Sequence, residues 1–308
     1  MHCTKALAAA YRSHSKQRNA TQRTLPYGND ILTNRMPWLE KLRQDLIVNP
    51  IQKDARTTYN KPLGKESNWI FNVAIGGGQA DFDLPVDNLS PRDRVMLYAL
   101  FNQKAHVDEL IHAFKKFLPD TRQFQAATII DIGCGPFTAG LALANVIGQS
   151  CDYRYYGVDT SSSMLSLAAD LSNAVRAENQ LSVRTEISFH EKLSKISFGP
   201  RRGTQITLFI LSYLLASKSI DVKKLVSEID KARNAIGLGP TFLLYTNSAK
   251  DGPRQAYPLL KEQLLAADFK VAVEEEENFT DTEKPRNIHY ALFVRHSPKT
   301  ISIEEFLQ

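Results

Sequence analysis

The chain has 308 residues, 43% hydrophobic and 23% charged, enough to bury a full core as one large domain or two smaller ones. That composition excludes a fibrous or wholly disordered chain, and no apolar run reaches the length of a membrane span. The net charge of +5 is uneven: residues 1–66 hold 12 Lys and Arg against 5 Asp and Glu, and the remainder holds 26 against 28.

Residues 1–35 read as a basic, flexible arm in which no acid precedes Asp30. Three readings of it stand open: contacts with nucleic-acid phosphates, an organelle-targeting peptide, or a solvated terminus. The segment Leu7–Ala10 is too short for a secretory signal. Cys3, Cys134 and Cys151 give neither a disulfide framework nor paired ligand spacing, so a reducing, cytoplasmic compartment and no metal site are expected.

Residues 36–120 read as mainly helical. Trp38, Leu39, Leu42, Leu46 and Ile47 recur at helical spacing. Gly76–Gly78 reads first as a turn or mobile loop, and second as a lid over a nearby pocket. Ser90, Pro91 and Asp93 form the start signal of a helix. A further helical stretch places Val107, Leu110, Ile111, Phe114 and Phe117 on one face, and Pro119 stops it. His106 and His112, six residues apart, lie roughly 240° apart around a helix and cannot share a metal. Both read as surface or boundary residues.

From residue 121 the pattern changes to short apolar runs alternating with helices. The runs are 127–133, 153–159, 182–189, 205–213, 241–246, 270–277 and 289–296. Together they predict an α/β fold: a Rossmann-like, mostly parallel seven-stranded sheet with helices on both faces. The last two runs lack room for a crossover helix, so an antiparallel C-terminal hairpin is expected. Glu274–Glu277 would lie on the sixth strand, with carboxylates on both faces, paired or solvated, guarding an edge.

Ligands of such sheets bind at the carboxyl ends of the strands. The first run ends in Asp131-Ile132-Gly133-Cys134-Gly135, where glycines permit a tight turn, and the next helix, opening at Thr138, offers free N–H groups. The second run ends at Asp159, where an acid can accept both hydroxyls of an adenosine ribose.

The order of strand, Asp-x-Gly-x-Gly, helix, strand, Gly-x-Asp and helix resembles class I S-adenosylmethionine (SAM)-dependent methyltransferases. "DIGCGP" is similar to their motif I and "GVDTSSSML" to the region that follows it, over about residues 124–297. The resemblance implies SAM as cofactor and an antiparallel seventh strand. It places Gly133 and Gly135 beneath the methionine part, with Asp131 orienting that turn or reaching the amino group through water. Asp159 would hold the ribose, Thr160 and Met164 would lie near the adenine, and Glu191 would meet the adenine amino group. Ser212 and Tyr213, in "ILSYLL", would face the methyl-transfer centre, Tyr213 as candidate catalytic residue. Two residues depart from the pattern. Phe137 stands where a third glycine is usual, bringing bulk to the loop, and no acid opens the fourth strand, where only Thr204, Gln205 and Thr207 are polar.

Some acceptors are disfavoured by what is missing. No Asn/Asp-Pro-Pro-aromatic motif follows the fourth strand, and no cysteine nucleophile follows Cys151. The basic arm and helical region favour an RNA or ribonucleoprotein acceptor. A small-molecule acceptor is the alternative, as is a catalytically decayed RNA-binding scaffold.

Overall fold

The computed structural model describes residues 36–297 except 119, 200–204, 238 and 283. The basic arm, Pro119 and Thr204 lie outside these.

All seven strands form one sheet: β1 (Ala127–Ile132), β2 (Tyr153–Val158), β3 (Glu186–His190), β4 (Thr207–Ser212), β5 (Thr241–Ser248), β6 (Lys270–Phe279) and β7 (Arg286–Arg295). Their order is β3-β2-β1-β4-β5-β7-β6. The first five are parallel, and β7 enters antiparallel between β5 and β6. This is the sheet that the resemblance implied. The third strand is shorter than its apolar run, because Thr185 N–H closes a turn onto the Ser182 carbonyl at 3.0 Å.

Alternation along the strands sends side chains to two cores. Ile129, Tyr155, Leu208, Phe242 and Leu292 face one side. There they meet α1 (Pro37–Arg43), α2 (Pro91–Tyr98), α3 (Lys104–Phe117), α4 (Thr138–Val146) and α5 (Ser162–Ala177). Ile130, Phe209, Leu211, Leu243 and Phe293 face the other, against α6 (Val222–Ile236) and α7 (Tyr257–Ala266). The helical N-terminal region is therefore a layer of the sheet's own core.

Helix α2 begins as its sequence predicts: Ser90 Oγ accepts from Asp93 N–H at 3.1 Å, and Asp93 returns a carboxylate to Ser90 N–H at 2.9 Å. It runs through a wide π-helical turn, Ala99–Gln103, directly into α3.

On edge strand β6 each acidic residue has a cation from a helix on its own face. Glu274 pairs with Lys261 and Glu276 with Arg254, while Glu275 and Glu277 share Lys116 at 2.6 and 2.5 Å. Among the described residues, no helix is long and apolar enough to cross a membrane.

Candidate active site

The sheet's switch in strand order lies between β1 and β4, and a cleft opens at their carboxyl ends. Tyr98, His106, Asp131, Gly133, Thr138 and Ser212 line it. The chain leaves β1 at Gly133 with φ +75°, and a Cβ there would sit 2.9 Å from Leu214 Cδ1. Gly133 and Cys134 both donate N–H to the Val158 carbonyl, at 2.7 and 3.0 Å. Gly135 N–H donates to Asp159 Oδ2 at 3.0 Å, and Ser161 N–H to Asp159 Oδ1 at 3.0 Å. Asp159 thus braces the glycine loop. Burial raises its pKa, and the N–H groups of Ser161 and Gly135 oppose that rise.

Phe137 does not crowd this loop. Its backbone is left-handed, φ +64°, and turns the ring down beneath α4. The ring is fully buried, edge-on to Tyr155 at 5.1 Å and Phe189 at 5.7 Å. Gly140 supplies the space, since a Cβ at that position would meet the ring at 1.8 Å. The bulk expected in the loop lies in the core, and the glycine that admits it stands three residues later.

Asp131 is 1% exposed and accepts Tyr155 O–H at 2.6 Å. Burial pushes its pKa up to about 7, with the Tyr155 hydrogen bond holding it down and the Asp159 charge adding to the rise. Among the described residues no basic side chain pairs with it. Beside it, Thr138 Oγ1 is buried without a hydrogen-bond partner. An acid awaiting a cation and a hydroxyl awaiting a polar partner fit the amino-acid end of a SAM-type group.

The remaining expected residues divide. Ser212 is on the cleft and accepts the Thr246 hydroxyl at 3.0 Å. Met164 is 4% exposed, in the core under α5. Thr160 is exposed, and Glu191 is exposed with Lys195 at 3.6 Å, so neither joins the cleft lining.

Tyr213 follows β4 in a left-handed conformation, φ +57°, its N–H bonded to the Thr246 carbonyl at 2.9 Å. Its ring lies flat on the His106 imidazole, centroids 3.9 Å apart and planes 16° apart. Its buried hydroxyl lies beside Glu109 and Arg286, with no well-aligned hydrogen bond. Glu109 is wholly buried, with Arg286 Nε 3.2 Å away. Burial raises the Glu109 carboxyl to about 7 against the opposing Arg286 charge and the Tyr213 hydroxyl.

His106 is half-buried, the boundary position expected of it, and it also lines the cleft, which helical spacing did not show. Eight residues separate it from Tyr98, which in a regular helix leaves roughly 80° between them. The wider π turn at Ala99–Gln103 takes up much of that angle, so both face the cleft. A second unexpected residue is Asp83. Its carboxylate accepts from Ser161 Oγ and from the Ser162 and Ser163 N–H groups at 2.8–2.9 Å, capping α5 from another part of the chain. Buried Arg94 holds the strap of residues 74–84 that carries Asp83, through the carbonyls of Ala74, Asp81 and Leu84. The Gly76–Gly78 segment is a tight turn in this strap, packed against Tyr98 and Asn102.

No protein-family model matches the chain, and no curated protein matches it. Among solved structures, it is similar to magnesium protoporphyrin IX methyltransferase from Synechocystis PCC 6803 with bound SAM, at 14% identity and TM-score 0.41, covering 74% of this chain and 94% of that one. It is similar to a SAM-dependent methyltransferase from Leishmania major at 13% identity and TM-score 0.40, covering 74% and 91%. A third, a SAM-dependent methyltransferase from Methanosarcina mazei, is 19% identical with TM-score 0.38, covering 57% and 96%. The fold reading rests on strand order and the inserted β7, independently of these likenesses.

Proposed function

We propose that the chain is a SAM-dependent methyltransferase (EC 2.1.1.-) acting on an RNA or ribonucleoprotein acceptor. The observation that carries the first half is Asp159, at the end of β2, joined through Gly135 N–H to a glycine loop that borders a cleft containing Asp131. The carboxylate oxygens of Asp159 each retain acceptor capacity beyond their one N–H bond, which suits a ribose diol. Asp131 and Thr138 would hold the amino-acid end. The bound group supplies an electrophilic methyl, leaving the protein to align the acceptor and exclude water.

The acceptor half rests on charge. Residues 1–35 carry 6 Lys and Arg against one Asp, whereas residues 36–120 balance at 11 of each sign. A small acceptor is the second reading, favoured by the way Tyr98 and His106 from the helical layer close in on the cleft.

Calorimetric titration with SAM and S-adenosylhomocysteine tests the first half. Micromolar binding lost in Asp159→Ala is expected, and no binding by the full chain, alone or with RNA, overturns it. Transfer of labelled methyl to RNA, abolished when residues 1–35 are removed, supports the RNA acceptor. Transfer to small amines or hydroxyls that survives this removal refutes it.

A further inference from the structure

We infer that His106 is the residue that contacts the methyl acceptor, as a neutral imidazole accepting a hydrogen bond from an N–H or O–H nucleophile, with Tyr213 as its positioning residue. The inference rests on the cofactor reading above.

Several independent features converge on this histidine. It lines the same cleft as Asp131, Gly133 and Ser212, at the carboxyl ends of β1 and β4. It comes from α3, outside the strands that build the cofactor loop, so its position serves something other than that loop. Its ring has one face covered by Tyr213 at 3.9 Å, which fixes the plane and leaves its edge to do the bonding. Tyr213 holds a left-handed backbone, φ +57°, a strained conformation that persists only where the surroundings enforce it. Behind the stack, the Glu109–Arg286 pair packs beside the buried Tyr213 hydroxyl.

The chemistry of the acceptor follows from charge. Burial first, and then Arg286, lower the His106 pKa to about 3, so the ring is uncharged at neutral pH and too weak a base to carry the proton away. It orients a lone pair by holding the adjacent hydrogen. Arg286 is committed to Glu109, the Asp131 carboxyl lines the cleft, and the Asp159 carboxyl lies behind its glycine loop. A carboxylate or other anionic acceptor would enter against that field with no cation to receive it. An amine, amide or hydroxyl acceptor fits.

The probe is sinefungin, an S-adenosylhomocysteine analogue with an amine-bearing carbon in place of sulfur, compared with S-adenosylhomocysteine itself by calorimetry. His106→Phe keeps a ring on Tyr213 and removes both nitrogens. It is expected to weaken sinefungin about tenfold relative to S-adenosylhomocysteine, the size of one hydrogen bond to a charged group. Tyr213→Phe should preserve the preference and Tyr213→Leu reduce it. The ring-current shift of the His106 proton resonances should likewise survive the first and vanish in the second. His106→Asn, which retains a hydrogen-bond acceptor, is the second variant and is expected to retain part of the preference. If the intact chain binds neither compound, alone or with RNA, the cofactor reading falls and this inference with it. If it binds both and His106→Phe weakens them equally, the inference alone is overturned.

Discussion

Replacing Gly140 by alanine is the most revealing small change to the cofactor half. Gly140 lies in the first turn of α4, where alanine ordinarily gains about 1 kcal/mol over glycine in a helix. Here the added Cβ would stand 1.8 Å from Phe137 Cε2, inside any permitted contact. The ring has nowhere to retreat, with Tyr155 and Phe189 edge-on against it and no exposed surface. Overpacking a filled core costs about 1–3 kcal/mol, and a clash this deep belongs at the upper end. The net expectation for Gly140→Ala is a loss of about 2 kcal/mol, read from urea unfolding followed by circular dichroism. Phe137→Ala alone should lose about 3–5 kcal/mol through the cavity it leaves. In the double variant the new methyl meets empty space, so the combined loss should be smaller than that of Phe137→Ala. A Gly140→Ala protein more stable than its parent, or additive losses in the double variant, would refute the placement of the Phe137 ring under α4.

Asp83→Ala removes the acceptor of the Ser162 and Ser163 N–H groups at the start of α5, leaving the Ser161 cap, and should lower stability by about 1–2 kcal/mol in thermal melts, with Asp83→Asn intermediate. Partial burial opposes ionisation of Asp83, but the N–H groups of Ser163 and Ser162 and the nearby hydroxyls together hold its pKa at about 2. Its contribution is complete above the usual aspartate value and disappears as pH falls through about 2. The melting temperatures of parent and Asp83→Ala should therefore converge in strong acid. Asp131 behaves oppositely: its folded pKa is raised, so the folded state holds an extra proton between the ordinary aspartate range and about 7. Stability from this group declines as pH rises across that window, and Asp131→Asn should gain in melting temperature relative to the parent at pH 8 but not at pH 4. Binding of S-adenosylhomocysteine should strengthen in the parent between pH 6 and 8 and lose that rise in Asp131→Asn. An identical pH profile for the two proteins would show that Asp131 does not meet the amino group.

The strands were legible because β-branched and aromatic runs bounded by turn residues seldom mean anything else, and the short interval between the runs 270–277 and 289–296 left no room for a crossover helix. The start of α2 was legible from Ser90 and Asp93 because a capping box is a local structure. The glycine turn after β1 and the acid closing β2 were legible as strand ends, while the hydrogen bond that joins them was not. What escaped was non-local. Nothing in the spacing around Phe137 says that its ring turns inward, although a glycine three residues later in an apolar helix was the available clue. The cleft position of His106 escaped because it depends on the wide turn at Ala99–Gln103, which the spacing of Val107, Leu110, Ile111, Phe114 and Phe117 does not report. Asp83 and Glu109 are ordinary acids in sequence; one finds its partners at Ser161–Ser163 and the other at Arg286, far along the chain.

The continuity of the core through α1, α2 and α3 also fixes the smallest useful fragment for expression and crystallisation. A cut at residue 120, where the sequence grammar changes, would strip the layer that covers Ile129, Tyr155, Leu208 and Leu292 and leave half the sheet greasy in water. It would also remove the Asp83 cap, the Lys116 partner of two edge-strand acids and the His106 wall of the cleft. Any shortened form of this protein therefore has to keep the layer that begins at α1.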